Sequence, residues 1–429
     1  MEMASISSTM LKPLYSKPHP LDGEMVALTL FDRATFDIFV PIMLVYPAPG
    51  PSNDALKEGL RRAVAVYPHL AGRLAVDHRG RRCIHINNDG VLVLEASVPV
   101  DLSNVLANGG VLTNTEGLYP AVPLQEEHVG VALLQIKLNR YKCGGLVIGL
   151  TAHHHAADGI SMSTFLTTWA SAVRQGRDFT APSPFLDRGV TALPRTVPTP
   201  VFDHQSTEFK GEDPAAPLCK FKNITVRFTA EFVAELKARV GTRCSKFQCL
   251  LAHLWKKTTA ARGLAPDEFT QVRVAVNCRG RANPPVPMDF FGNMVLWAFP
   301  RLQVRDVLSW SYSDVVGAIR DAVARIDGNY IQSFLDFGAV VADAHGEELT
   351  ATAGTMCCPN LEVDSWLGFR FHQVDFGAGP PAAFQPPDLP VEGLMVFVPS
   401  CVVKGDVDVY MAVAEDHVTA FQQICHYLD

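Results

Sequence analysis

Three consecutive histidines, His153-His154-His155, followed by Ala156-Ala157-Asp158-Gly159, are the residues of this chain best placed to do chemistry. An imidazole titrates at about 6.5 when unperturbed, so near neutral pH it can take a proton from a nucleophile and return one. A carboxylate at the end of such a turn, Asp158, can hold the loop by accepting backbone N–H groups or pairing with an arginine, which fixes the direction of the imidazole. A histidine in a core is often only structural, and histidines grouped with a carboxylate can ligate zinc. The chain has no His-Glu-x-x-His and no Cys-x-x-Cys pair to complete a zinc site.

The elements that must position the triplet are legible on either side of it. Leu146-Val147-Ile148-Gly149-Leu150 is apolar throughout, the pattern of a strand covered on both faces. Beyond Gly159, the apolar residues Met162, Phe165, Leu166, Trp169, Ala170 and Val173 recur at helical spacing. Ser161 or Ser163 is expected to cap the start of this helix, and Gly176 to end it. His154 therefore leaves a strand and Asp158 enters a helix.

His154-x-x-x-Asp158-Gly159 resembles the His-x-x-x-Asp-Gly signature of CoA-dependent acyltransferases, which include chloramphenicol acetyltransferase, peptide-synthetase condensation domains and the plant BAHD family. Three further stretches resemble the BAHD family in particular. Leu60 to Leu74 is similar to its N-terminal helix and Pro-Leu-Ala-Gly-Arg-Leu turn, with His69 inserted. Arg279-Gly280-Arg281 through Phe290-Phe291-Gly292-Asn293 is similar to its Arg-x-Arg and Tyr-Phe-Gly-Asn block. Asp375-Phe376-Gly377-Ala378-Gly379 is similar to its Asp-Phe-Gly-Trp-Gly motif, with Ala378 in place of tryptophan. The four occur in family order and span nearly the whole chain.

The resemblance implies an α/β fold of two chloramphenicol-acetyltransferase-like domains, each a mixed β-sheet flanked by helices, with a channel between them. It implies acyl transfer in a ternary complex without an acyl-enzyme, His154 taking the acceptor's proton as the acceptor attacks a thioester. Acyl-CoA is then a co-substrate, and no permanently bound cofactor or metal is expected. Arg279 is implied as an ion-pair partner of Asp158, a scaffolding role shared with Gly159, Asn293, Asp375, Gly377 and Gly379. Ser245 and Lys246 fall at the family's CoA side. Arg281, Lys256 and Lys257 are further candidate phosphate partners, because arginine forks, lysine charges and helix N-termini bind such groups; a solvated basic face is the alternative for the two lysines. The indole N–H of Trp366 is a candidate donor to the tetrahedral oxyanion, a role worth about 3 kcal/mol, and a core aromatic is the alternative.

The acceptor side carries signals of its own. Shikimate-using hydroxycinnamoyltransferases have an arginine before Cys-Pro-Asn that holds the acceptor's carboxylate; here Cys357 precedes Cys358-Pro359-Asn360. Where those enzymes have Thr-Ser-Trp, this chain has Asp364-Ser365-Trp366, and Glu362 lies two residues earlier. Leu361 to Trp366, Leu30-Phe31-Asp32-Arg33 and Leu389 to Leu394 resemble monocot N-hydroxycinnamoyltransferases that acylate agmatine, putrescine or tryptamine. The expected acceptor is an amine, drawn by Asp364 or Glu362, unless both acids are exposed loop residues. An O-acyltransferase using an alcohol and a condensation-domain-like enzyme are the competing readings.

Composition agrees. The 429 residues, 48% hydrophobic, suffice for two cores. Residues 181–217, rich in proline, are expected as an extended surface linker between an N-terminal domain, 1–180, and a C-terminal domain, 218–429. A net charge of −7 with no basic stripe argues against nucleic acid. No run approaches the roughly 18 apolar residues of a membrane span, and no signal peptide is apparent, so a cytoplasmic monomer acting on small molecules is expected. The ten cysteines are scattered and expected as free thiols.

Overall fold

The structure, a computed structural model, describes residues 5–106, 112, 115–121, 128–191, 193–209, 219–345, 349, 351 and 358–428. Leu146–His153 forms the expected strand and is buried along its whole length. It pairs antiparallel with Phe39–Tyr46 on one side and Leu134–Tyr141 on the other. That places it inside a six-stranded mixed sheet, which continues through Val91–Val98 to Ser5–Leu11. The helix Gly159–Gln175 follows and packs Phe165, Leu166 and Trp169 against Leu56, Leu60 and Val64 of the helix Asn53–Val66.

A second sheet runs Val295–Ala298, Phe269–Asn277, Leu361–Ser365, Leu394–Pro399, Val407–Ala414, Phe221–Phe228, with Arg301–Gln303 also paired to Phe269–Asn277. One face buries Val272, Val274, Leu361, Val363, Met395 and Phe397 against Leu250, Leu254 and Trp255 of the helix Lys246–Arg262. The other face, carrying Val396, Val398, Tyr410 and Ala412, packs into the core of the first half. A small third sheet joins Met25–Ala27, Arg82–His85 and Arg73–Val76.

The two halves exchange parts. Ala383–Gln385, far along the chain, pairs antiparallel with Phe39–Tyr46 and completes the first sheet. Without it that strand would present an unpaired edge of N–H and C=O groups. Phe371, Val374, Phe376 and Phe384 enter the first half's core, while Leu30, Phe31 and Ala34 enter the second's. A division into 1–180 and 218–429 does not capture this exchange, which no local sequence pattern encodes.

The proline-rich stretch also differs from a plain surface connection. Within its described part, Arg188, Thr191, His204, Glu208 and Phe209 are buried. Proline content reports backbone stiffness and not burial; Arg188 is drawn inward by a buried carboxylate, Asp32, 2.9 Å away. Residues 210–218 and Cys357 lie outside the described residues. Among the described residues the cysteines are free thiols, and no helix is long and apolar enough to cross a membrane.

Candidate active site

His154 sits one residue past its strand, half-buried, in a turn fixed from several directions. Its N–H donates to Ile38 O at 2.9 Å, and Ala156 N–H donates to His153 O at 2.9 Å. Its carbonyl accepts from Asn293 Nδ2 at 2.7 Å, and its Nδ1 lies 3.2 Å from Asn293 Oδ1. With Nδ1–H donating to that amide oxygen, Nε2 is left with a lone pair. Asn293 is itself held by Asp32 Oδ1 at 2.9 Å. Asp32 in turn closes a capping box with Thr29 at the short helix Leu30–Arg33.

Asp158 points away from the imidazole. It is the N-cap of Gly159–Gln175, accepting from Ser161 N–H at 3.0 Å, so the cap is Asp158 and neither serine. The Ser161 hydroxyl instead bonds Gly292 O at 2.9 Å. Arg279, fully buried, grips Asp158 with both terminal nitrogens, NH1 to Oδ2 at 2.7 Å and NH2 to Oδ1 at 3.0 Å. Met294 N–H adds a fourth bond to the carboxylate at 3.1 Å. Burial alone would raise this carboxyl, but Arg279 and the two backbone donors outweigh it and hold it below its ordinary value. Asp158 and Arg279 thus lock the helix start to the loop that delivers Asn293. Gly159 is required by close packing: a Cβ there would stand 2.3 Å from the Phe369 ring.

Trp366 follows Leu361–Ser365 and stacks near Phe369, with ring centroids 6.5 Å apart. Its indole N–H has no hydrogen-bond partner among the described residues. Glu362, Asp364 and Trp366 alternate onto the sheet face shared with Val396, the face turned to the first half. Arg273, the register partner of Glu362, lies 3.6 Å from its carboxylate. The same guanidinium covers the Trp297 ring at 3.8 Å and the Phe36 ring at 4.8 Å. Phe36 is two residues from Ile38, whose carbonyl takes the His154 N–H, so one short segment touches both the guanidinium of Arg273 and the turn that carries the base. Asp364 is partly exposed, and its carboxyl has no hydrogen bond among the described residues. Burial, with Glu362 beside it, pushes it up to about 7 against the pull of Arg273.

The candidate phosphate partners divide. Ser245 caps Lys246–Arg262 in a capping box with Gln248, and both Ser245 and Lys246 are exposed, with Lys246 Nζ 2.8 Å from Gly405 O. Lys256 is neither a phosphate partner nor a solvated face: it is buried and donates to Val307, Leu308 and Trp310 carbonyls at 2.8, 3.1 and 2.8 Å, closing the helix Val304–Ser309. Lys257 is buried as well. Arg281 NH1 donates to Val323 O and Ile326 O at 2.8 and 2.9 Å, at the end of the helix Tyr312–Ala324. Spacing on a helix cannot distinguish a cation that meets solvent from one that meets the carbonyls of a neighbouring helix.

The Asp375 loop folds around its own carboxylate, and Arg174 of the helix Gly159–Gln175 donates to the Asp375 carbonyl. One carboxylate oxygen accepts Gly377 N–H at 2.7 Å and Gly379 N–H at 2.9 Å. Both glycines adopt positive φ, 108° and 95°. Phe376 anchors the loop against Trp169, centroids 4.8 Å apart. Ala378 is exposed, so the missing tryptophan removes surface and not core.

A second cluster lies behind the base and carries no motif of its own. Asp37 Oδ1 receives His128 Nδ1 at 2.7 Å and His153 Nε2 at 3.0 Å, while Arg82 pairs with Oδ2. Only the triplet itself marked His153 in the sequence; Asp37 and His128 lie too far away to be linked to it. His153 Nδ1 accepts the His155 N–H at 3.2 Å, so Nε2 carries the ring proton and His153 has no lone pair left for a cation.

Residues 1–427 match the family model described as the Transferase family. Tryptamine benzoyltransferase 1 of Oryza sativa subsp. japonica is 61% identical over all of this chain and 98% of its own length. Tryptamine hydroxycinnamoyltransferase 2 of the same rice is 56% identical, covering 98% of each chain. Among solved structures, vinorine synthase superposes with a TM-score of 0.74 at 22% identity, covering 98% of this chain and 96% of its own, a likeness of fold. The four motifs resembled the BAHD acyltransferases, and the whole-length match makes the conclusion plain: the chain belongs to that Transferase family.

Proposed function

We propose that the protein transfers a hydroxycinnamoyl or benzoyl group from its CoA thioester to an amine such as tryptamine, agmatine or putrescine, giving an amide. His154 Nε2 takes the proton that the amine nitrogen sheds as it attacks the thioester carbonyl. The tetrahedral intermediate then expels the thiolate, the C–S bond breaks, and the proton held on His154 completes the CoA thiol. The indole N–H of Trp366, without a hydrogen-bond partner among the described residues, is proposed to donate to the intermediate's oxyanion. Ser245 and Lys246, exposed at a helix start, are proposed to meet CoA phosphates; Arg281, engaged at a helix end, is the weaker candidate.

The amine over the alcohol is carried by Asp364. Glu362 pairs with Arg273, whereas Asp364, on the same sheet face and partly exposed, has no hydrogen-bond partner among the described residues. Burial withholds a counter-charge that an incoming ammonium supplies. The two rice relatives carry tryptamine in their names, which points the same way. Because an alkyl ammonium titrates near about 10, the site must also favour its minor neutral form. The two halves share core residues within one chain, which supports the reading of a monomer.

The test is competition: one benzoyl-CoA or coumaroyl-CoA sample with tryptamine and an alcohol acceptor together, product linkage read by mass spectrometry. Amide in large excess is the expected result; ester as the main product removes the amine reading and leaves an O-acyltransferase.

A further inference from the structure

We infer that His153 is a positioning residue for His154: its Nδ1 straps the His155 amide and so sets the turn that aims the neighbouring base. The geometry is a closed chain of hydrogen bonds. His153 Nδ1 accepts the His155 N–H across the residue that carries the base, at 3.2 Å. That fixes the ring proton on Nε2, which donates to Asp37 Oδ1 at 3.0 Å. The same oxygen receives His128 Nδ1–H at 2.7 Å, and Arg82 pairs with the other oxygen.

The carboxylate therefore sets both the rotation and the tautomer of His153. Phe39 adds packing, its ring edge-on to His128 and to His153 at centroid distances of 5.1 and 4.9 Å. Asp37 precedes Ile38, whose carbonyl takes the His154 N–H. One short segment thus holds the base directly through Ile38 and indirectly through Asp37 and His153.

Only a neutral His153 can strap the turn, because a protonated ring has two donors and no acceptor. The surroundings favour neutrality. Burial lowers the imidazole, Asp37 opposes, and His128 and His154 add to the lowering, leaving it below its ordinary value. His155, packed against His153 with both ring nitrogens unpartnered, is also driven neutral by burial, down to about 3.

The inference rests on His154 being the base. Two variants separate the ends of the ring. His153→Asn places an amide oxygen near the Nδ1 position, able to accept the His155 N–H but unable to reach Asp37. His153→Gln places an amide N–H near Nε2, able to reach Asp37 with nothing to strap the turn. Both lose similar packing and are expected to melt at similar temperatures.

The expected result is that His153→Gln loses about 100-fold in kcat, with the KM of both substrates little changed, while His153→Asn loses less than about fivefold. Amide exchange across residues 154–156 rises in the glutamine variant only. Equal kcat in the two variants, losses confined to KM, or equal exchange would each overturn the strap. Retained turnover in His154→Gln would instead remove the base, with the exchange difference between the His153 variants left standing.

Discussion

At the scale of residues, Asp158 and Asp364 show two fates of a carboxylate. Asp158 takes two arginine N–H groups and two backbone N–H groups, so it belongs to the scaffold. Arg279→Met strands that carboxylate in the interior; unfolding in urea is expected to show a loss of about 3–5 kcal/mol, and an unchanged midpoint would mean the pair is dispensable. Asp364 has no such partners among the described residues. Asp364→Ala is expected to raise the amine KM about tenfold, an amount of about 1.4 kcal/mol, with acyl-CoA KM unchanged. An unchanged amine KM takes Asp364 out of the acceptor site. Both residues stood out in the sequence, one by motif and one by its departure from the shikimate pattern. What could not be read there was how the neighbouring acids differ, because the pairing of Glu362 with Arg273 exists only once two strands are in register.

At the scale of elements, the strand Leu146–His153 and the helix Gly159–Gln175 were legible because both carry strong hydrophobic periodicity. The cap was misplaced by three residues or more because serine and aspartate are both good N-caps, and only the fold shows which is turned toward the helix. Gly159 reads as a motif residue but acts as a packing one. In Gly159→Ala the new methyl meets the Phe369 ring, which itself lies beside Trp366. A loss of about 1–3 kcal/mol by overpacking is expected, together with lower kcat; wild-type melting and turnover would show that the ring gives way freely. The Asp375 loop predicts the opposite behaviour. Ala378→Trp restores the usual family residue at an exposed position and is expected to shift stability by no more than about 0.5 kcal/mol and to leave kcat as it was. A large gain in either would mean that the tryptophan packs on something the present loop leaves bare.

At the scale of the whole molecule, the fold class followed from four motifs in order, whereas the exchange of Ala383–Gln385 into the first sheet had no local signature. Strand pairing between distant segments is settled by the edge each leaves unsatisfied, not by either sequence alone. The interior also stores acid sensitivity. His69, His153, His155 and His204 are fully buried, and burial lowers each of them below its ordinary value. Below pH about 6.5 the unfolded chain binds these protons and the native chain does not, so stability is complete above that pH and falls as acid is added, by up to about 1.4 kcal/mol per pH unit for each histidine. Melting temperature is expected to be level from pH 8 to 7 and to drop steeply toward pH 5; a flat profile would mean that the histidines charge in place.

All of these features serve one imidazole, and the most direct measurement is turnover of His154→Gln with benzoyl-CoA and tryptamine, beside its melting curve. A fall in kcat of about 100- to 10,000-fold with native melting is the predicted result. Turnover near that of the native protein would contradict the account, because of the three consecutive histidines only His154 is partly exposed with a ring nitrogen lone pair to offer, His153 and His155 being fully buried.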